Sequence, residues 1–195
     1  DEDKKKLPAE LIILPIRNME LFPNAVLPST VSSEQTIKAF NDAEKSGKYI
    51  GVIAQKDATN EDPAFAEINT IGTVAEIIKQ IKMPDNSTTV FIRGRIRFKI
   101  DEWTTSDPYF KAKVSYLEDQ IPANDEEFTA MTSSVKEFAD QIIKKSNNVP
   151  QEAAIMLRNI ENISFLNHFI ASNLNCDNKE KQTLLEEDDF KKRTE

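Results

Sequence analysis

GTVAEIIKQIKMPDNSTTVFIRGRIRFKI, residues 72–100, reads as two β-strands and the turn between them. In its second half Arg93, Arg95, Arg97 and Lys99 fall on one face and Gly94, Ile96, Phe98 and Ile100 on the other, the period of two of a half-buried strand. The first half, 72–82, alternates less cleanly. Its slip at Ile77 and Ile78 indicates a bulge, where one extra residue interrupts pairing. Pro84 presets φ for the second position of a turn, with Asp85 or Asn86 after it. The stretch is expected to form one long antiparallel hairpin with one core face and one wet face.

Upstream, LPIRNMELFPNAVLPSTV (14–31) interleaves three prolines with apolar residues. Proline lacks a backbone donor, so Pro15, Pro23 and Pro28 exclude a helix or a central strand and predict strand, turn, strand. YIGVIAQK (49–56) and PYFKAKVSYLE (108–118) supply further strands. Between 32 and 48, Ile37, Phe40 and Ala43 recur at helical spacing, with Ser32 and Gln35 resembling a capping box and Gly47 a stop. Residues 57–67 show no periodicity and are expected to form an exposed loop.

From Ile121 the period changes. Phe128, Met131, Val135, Phe138 and Ile142 form one stripe of a helix expected to begin at Asp125 and fray at Ser146 and Asn147. A second helix is expected from Pro150 to about Ile160, and a third after Ser164 with an apolar face of Phe165, Leu166, Phe169, Ile170 and Leu174. A fourth is capped by Asp177 or Asn178, and a last, begun at Asp188 or Asp189, is expected to continue beyond the final residue. The fold class is therefore α+β, divided into a lead-in (1–6), a strand-rich zone with one helix (7–119) and a helical zone (120–195). Charge follows the division: residues 7–118 carry 13 basic and 15 acidic side chains, and residues 119–195 carry 9 and 15.

Composition narrows the function. With 39% apolar and 30% charged residues the chain is an ordinary globular sequence, and no apolar run approaches the ~20 residues of a membrane span. The start lacks the apolar core of a signal peptide, and Cys176, the only cysteine, permits no internal disulfide, so a cytoplasmic location without membrane contact is expected. A net charge of −8 repels phosphate backbones at long range and makes nucleic acid an unfavoured partner. Glycines at only 47, 51, 72 and 94 provide no phosphate-binding loop. His168 is the only histidine and lies among apolar neighbours, which fits a buried helix residue better than a general base. Adjacent carboxylates such as Glu126 and Glu127 diverge by ~100° on a helix and fit helix starts and solvated faces better than a metal site. No catalytic, cofactor or metal site is expected.

Two groups are candidates for partner binding. The row Arg93, Arg95, Arg97 and Lys99, which Phe91 shares, is a basic strip for an acidic partner or RNA; its plainer reading is a solvent face paired with acids such as Glu76. Leu21 and Phe22 before Pro23, and Met83 at the hairpin tip, are apolar residues at turns suited to docking unfolded chains. The plainer reading of Leu21 and Phe22 is that they cap the core.

The order of these features resembles one family along residues 7–195. LPIRNMELFPNAVLP, YIGVIAQKD, the loop with Asp62 and Pro63, the hairpin with Gly94 and Arg97, FLNHFIASNL and EKQTLLEEDDFKKR are together similar to the N-terminal domain of Lon proteases. The resemblance implies a PUA-like six-stranded β-barrel followed by an α-helical bundle whose last helix leads to an ATPase module. It implies a non-catalytic role: recognition of unfolded or degron-bearing proteins and assembly of a homohexamer. ATP, Mg and a Ser-Lys dyad would belong to other parts of the parent ATP-dependent serine protease. The alternative is a stand-alone PUA-like module for RNA or an acidic protein. Two departures are Asn24, where the family commonly has proline or a small residue, and the density of the basic row.

Overall fold

Two turns built on proline and asparagine fix the strand registers. In the computed structural model, which describes residues 7–17, 19–57, 59–60, 63–123, 125–145, 157, 160 and 162–195, the backbone N–H of Ala25 donates to the Phe22 carbonyl. Pro23 and Asn24 are the central pair of that turn, and Asn24 has φ 67°. Asparagine tolerates this left-handed conformation better than most residues, which accounts for its presence there. At the hairpin tip the Asn86 amide donates to the Met83 carbonyl, with Pro84 and Asp85 central, and Asn86 itself has φ 65°.

The strands are β1 (Glu10–Ile16), β2 (Val26–Val31), β3 (Tyr49–Ala54), β4 (Ile71–Lys82), β5 (Thr88–Thr105) and β6 (Lys111–Tyr116). They form one mixed sheet of order β2-β5-β4-β3-β1-β6, parallel only between β1 and β3. The long β5 also pairs with β6, so the pairing from β5 through β4, β3, β1 and β6 returns to β5. Pro15 lies beyond the segment of β1 that pairs with β6, and Pro28 lies in β2, whose outer edge is unpaired. Both prolines sit where a missing donor leaves no ladder bond broken.

Two bulges decide which side chains point where. The register of β4 on β5 slips between Ile77 and Lys79, at the expected bulge, leaving Ile78 as the extra residue. A second slip, from Ala75↔Gly94 to Val74↔Ile96, makes Arg95 an extra residue on β5 and reverses the parity of everything after it. Arg93 and Arg97 therefore lie on opposite faces. The reading of residues 93 to 99 as one basic face is corrected by this bulge.

Apolar residues fill both sides of the sheet. One cluster joins Ile12, Ile50, Ala75, Ile77 and Ile92 to Ala39, Phe40 and Ala43 of helix α1 (Glu34–Lys45). α1 is capped by Ser33 rather than Ser32, without a side-chain hydrogen bond. The other cluster, with Leu11, Ile13, Ile53, Val74, Phe98 and Val114, draws on β1, β3, β4, β5 and β6. The described residues of 57–67 are mostly exposed, as expected, but they are not without structure. A short 3-10 turn (Phe65–Glu67) places Phe65 on Trp103, ring centroids 4.6 Å apart, with Phe110 at 5.5 Å.

The helical zone supplies α2 (Glu126–Lys145), α3 (Ile163–Asn173), α4 (Asn178–Glu186) and α5 (Phe190–Thr194). Asp125, Asn162, Asp177 and Asp189 each accept hydrogen bonds from first-turn amides; Asp125, Asp177 and Asp189 are caps as expected, while Asn162 caps α3 two residues before the expected Ser164. The α2 stripe is not buried along its length: Phe128 is buried against the body, but Phe138 is 65% and Ile142 67% exposed. The expected fraying at Ser146 and Asn147, and the helix from Pro150 apart from Leu157 and Ile160, lie outside the described residues. No helix among the described residues is long and apolar enough to cross a membrane.

Candidate functional site

Arg97, expected on a binding strip, is 1% exposed. Its guanidinium lies 2.9 Å from Asp119 Oδ1 and 2.8 Å from Asp188 Oδ1, and donates to the Leu185 carbonyl at 2.9 Å. A buried arginine is tolerated only when its donors are matched in this way. Asp119 also accepts from Ser164 Oγ and, at 2.9 Å, from His168 Nε2, while Arg193 stands 3.5 Å away. Burial pushes the Asp119 carboxyl up, but the His168 hydrogen bond and the charges of Arg97 and Arg193 hold it well below the ordinary carboxylate range. Burial, helped by the two arginines and opposed by Asp119, lowers His168 and keeps it neutral near pH 7. The tautomer with hydrogen on Nε2 then donates to Asp119 and leaves Nδ1 to accept from Arg193, 3.5 Å away. This is not a nucleophilic triad, because Ser164 and His168 both donate to the carboxylate and not to one another. The cluster clamps the helices to the strands.

Leu21 and Phe22 serve the same junction. Phe22 is fully buried with Ala171 and Leu185, and its ring lies 6.3 Å from that of His168. Leu21 belongs to the α1-side core, and its carbonyl accepts from Thr73 Oγ1 at 2.6 Å. Their placement in a docking surface is corrected by this burial. Gly94 lets β5 pass beneath, since a Cβ there would lie 2.3 Å from the Phe22 carbonyl oxygen.

Arg93, Arg95 and Met83 remain at the surface, and they share it with residues that the sequence reading did not select. Register pairs Val26 with Arg93 and Glu76, Pro28 with Phe91 and Lys79, and Thr30 with Thr89 and Ile81. Directly paired residues point the same way, so these form one face of the projecting β2-β5-β4 arm. Leu27, Ile77 and Ile92 point to the opposite, buried side. The open face carries Val26 (52% exposed), Ile81 and Phe91, with bulged Ile78 (47%) beside it and Met83 (42%) at its tip. Arg95 lies 3.7 Å from Glu76 at its border. The missed signal was parity: once the bulges are counted, Ile81 and Phe91 share a face with Val26 and Pro28. Asp119 and Arg193 carried no local sequence signal, because their partners are distant in the chain.

Apart from this face, a concavity of about 720 Å³ lies between the end of β1, the first turn of α1 and residues 106–110. Ile13, Leu14, Phe65 and Phe110 line it together with Arg17, Gln35 and Gln55. Among the described residues no three His, Cys, Asp or Glu side chains are grouped to hold a metal ion.

A family model described as the ATP-dependent protease La (LON) substrate-binding domain matches residues 10–195. The Lon protease of Flavobacterium johnsoniae is 46% identical over 192 residues, covering 98% of this chain and 24% of that protein. That of Cytophaga hutchinsonii is 44% identical over 188 residues, covering 96% and 23%. The chain thus spans about a quarter of the length of these relatives. Among solved structures, the N-terminal domain of Mycobacterium avium complex Lon protease matches with a TM-score of 0.73 over 95% of this chain and 94% of that one. The Lon N-terminal domain protein from Xanthomonas campestris matches with a TM-score of 0.68 over 95% of each chain. Both are 18% identical and attest the fold alone. A matching family model over nearly the full length and relatives above 40% identity agree with the order of motifs: this chain belongs to the Lon protease N-terminal, substrate-binding domain family.

Proposed function

We propose that this chain is the non-catalytic docking domain of an ATP-dependent serine protease, and that the open face of the β2-β5-β4 arm holds unfolded or degron-bearing segments of its protein substrates. The observation that carries this reading is the group Val26, Ile78, Ile81 and Met83, large apolar residues left outward on a sheet whose other face is packed. An exposed apolar group of this kind is a usual mark of a binding surface. Burying one such side chain is worth about 1.5–3 kcal/mol, and ordering the bound segment removes part of the total. A few contacts thus suit weak, releasable capture, and the adaptable Met83 suits varied sequences.

In this reading the pairing ring is a PUA-like barrel, residues 120–195 form the helical bundle, and ATP with Mg and the peptidase dyad act elsewhere in a cytoplasmic homohexamer. The experiment is a titration of the chain with a reduced, carboxymethylated model protein without nucleotide. Binding is expected, weakened about tenfold or more in Ile81→Ser/Met83→Ser, with no peptide cleaved or ATP hydrolysed. Unchanged binding by the double variant, or hydrolysis by the purified chain, overturns the proposal. RNA binding is the weaker reading, because burial of Arg97 shortens the basic row and Glu76 faces Arg95. A salt-dependent RNA titration with no binding at low salt removes it.

A further inference from the structure

The charges on the open face oppose those of the molecule as a whole. The chain carries a net charge of −8, yet this face presents Arg93 and Lys79, both exposed, with Arg95 at the border. Its acid, Glu76, lies 3.7 Å from Arg95. At the tip, Asp85 turns its Oδ1 back to the Ser87 amide and hydroxyl, at 3.0 and 2.6 Å. Among the described residues Arg93 and Lys79 form no ion pair; Arg93 lies between Val26 on β2 and Glu76 on β4, whose carboxylate is 3.7 Å from Arg95, and Lys79 lies opposite Phe91. A cation next to an apolar contact rewards a ligand that places a carboxylate next to an apolar side chain.

Resting on the docking reading above, we infer that this face prefers unfolded segments in which apolar residues are interspersed with acidic ones, and that Arg93 and Lys79 set the preference. Arg93 lies two residues along β5 from Phe91, the partner of Lys79, so the two side chains are diagonal neighbours rooted ~7–8 Å apart. Alternate side chains of an extended segment are ~6.7 Å apart. Two carboxylates separated by one residue therefore match the two cations, while the residues around them reach Val26, Phe91 and Ile81. The long-range field of the acidic chain works against this choice and favours a basic ligand. The sign of the preference separates the local effect from the global one.

The test uses three fluorescent unstructured peptides with one apolar core, its flanking and alternate positions filled by aspartate, serine or lysine. Anisotropy titrations at low salt are expected to rank aspartate over serine over lysine, with about fivefold between the first two, the value of two exposed ion pairs. The margin is expected to shrink by 0.5 M salt, and the ratio of aspartate to serine affinity is expected to fall to about one in Arg93→Gln/Lys79→Gln. Thermal melts of the double variant are expected to match the parent, which confirms that it is folded. Equal binding of the three peptides, a preference for lysine, or an unaltered margin in the double variant overturns the inference while leaving the docking reading intact. Failure of all three to bind overturns both.

Discussion

Arg97 shows how one side chain can be misplaced by strict alternation and then explained by its partners. Its guanidinium donates to Asp119 and the Leu185 carbonyl and stands in ion-pair range of Asp188, and removing it leaves Asp119 desolvated with weakened compensation. Arg97→Ala is expected to cost about 3–5 kcal/mol in urea denaturation, as for breaking a buried ion pair. Arg97→Lys is expected to rescue little, because a point charge cannot reproduce the guanidinium fork. Stability of the lysine variant close to the parent contradicts this role. Glu20 is the reverse case. Burial, partly offset by Lys181 and reinforced by Asp177, raises its carboxyl from 4.5 to about 7, and its Oε2 is buried without a hydrogen-bond partner. Between those values the folded state holds more protons than the unfolded one, so Glu20 lowers stability as pH rises from 4.5 through 7. Glu20→Gln is expected to raise the melting temperature by about 2–4 °C at pH 8 and leave it unchanged near pH 4. A pH-independent difference removes that assignment.

At the scale of elements, most of the fold was legible and one surface was not. The strands at 49–56, 72–82 and 90–100, the Pro84 turn and the Ile78 bulge follow from period, turn chemistry and a visible slip in alternation. The Arg95 bulge left no such slip, since arginines stand on both sides of it, and this single hidden residue concealed the burial of Arg97; the open face turned instead on carrying the Ile78 bulge through to Lys79 and Ile81. In α2 the apolar period identified the helix correctly but not how much of it is covered: Phe128 is buried, while Phe138 and Ile142 are exposed. The β2 edge provides a test of element design. Asn24 donates to the Gly94 carbonyl and Gly94 donates to the Ala25 carbonyl. Alternation from that point turns the backbone nitrogens of Val26, Pro28 and Thr30 away from β5. Pro28 thus removes a donor from the open edge, a common protection against strand addition. Pro28→Thr is expected to increase self-association measured by sedimentation velocity, with an unchanged melting temperature within ~1 °C. A variant that stays monomeric at every concentration shows that the edge is guarded by other means.

For the whole molecule, the clamp and the open face divide the work: one holds helices to strands, the other is left for a partner. The clamp is acid-sensitive. Asp119 is held below its ordinary 3.8 and His168 below its ordinary 6.5, so the unfolded chain binds more protons than the folded one at low pH. Stability from these groups is therefore present above about pH 6.5 and is lost as pH falls below it and again below 3.8. His168→Gln is expected to flatten the first of these losses in a pH series of urea titrations. The central claim concerns the face, and site-specific photocrosslinking to an unfolded, carboxymethylated protein tests it most directly. A photoreactive phenylalanine analogue is placed singly at position 78, 81 or 83, and for comparison at 65 beside the concavity and at 138 on α2. Strong adducts from 78, 81 and 83 with little from 65 and 138 are the predicted result; adducts from 65 or 138 with none from the hairpin would contradict the account.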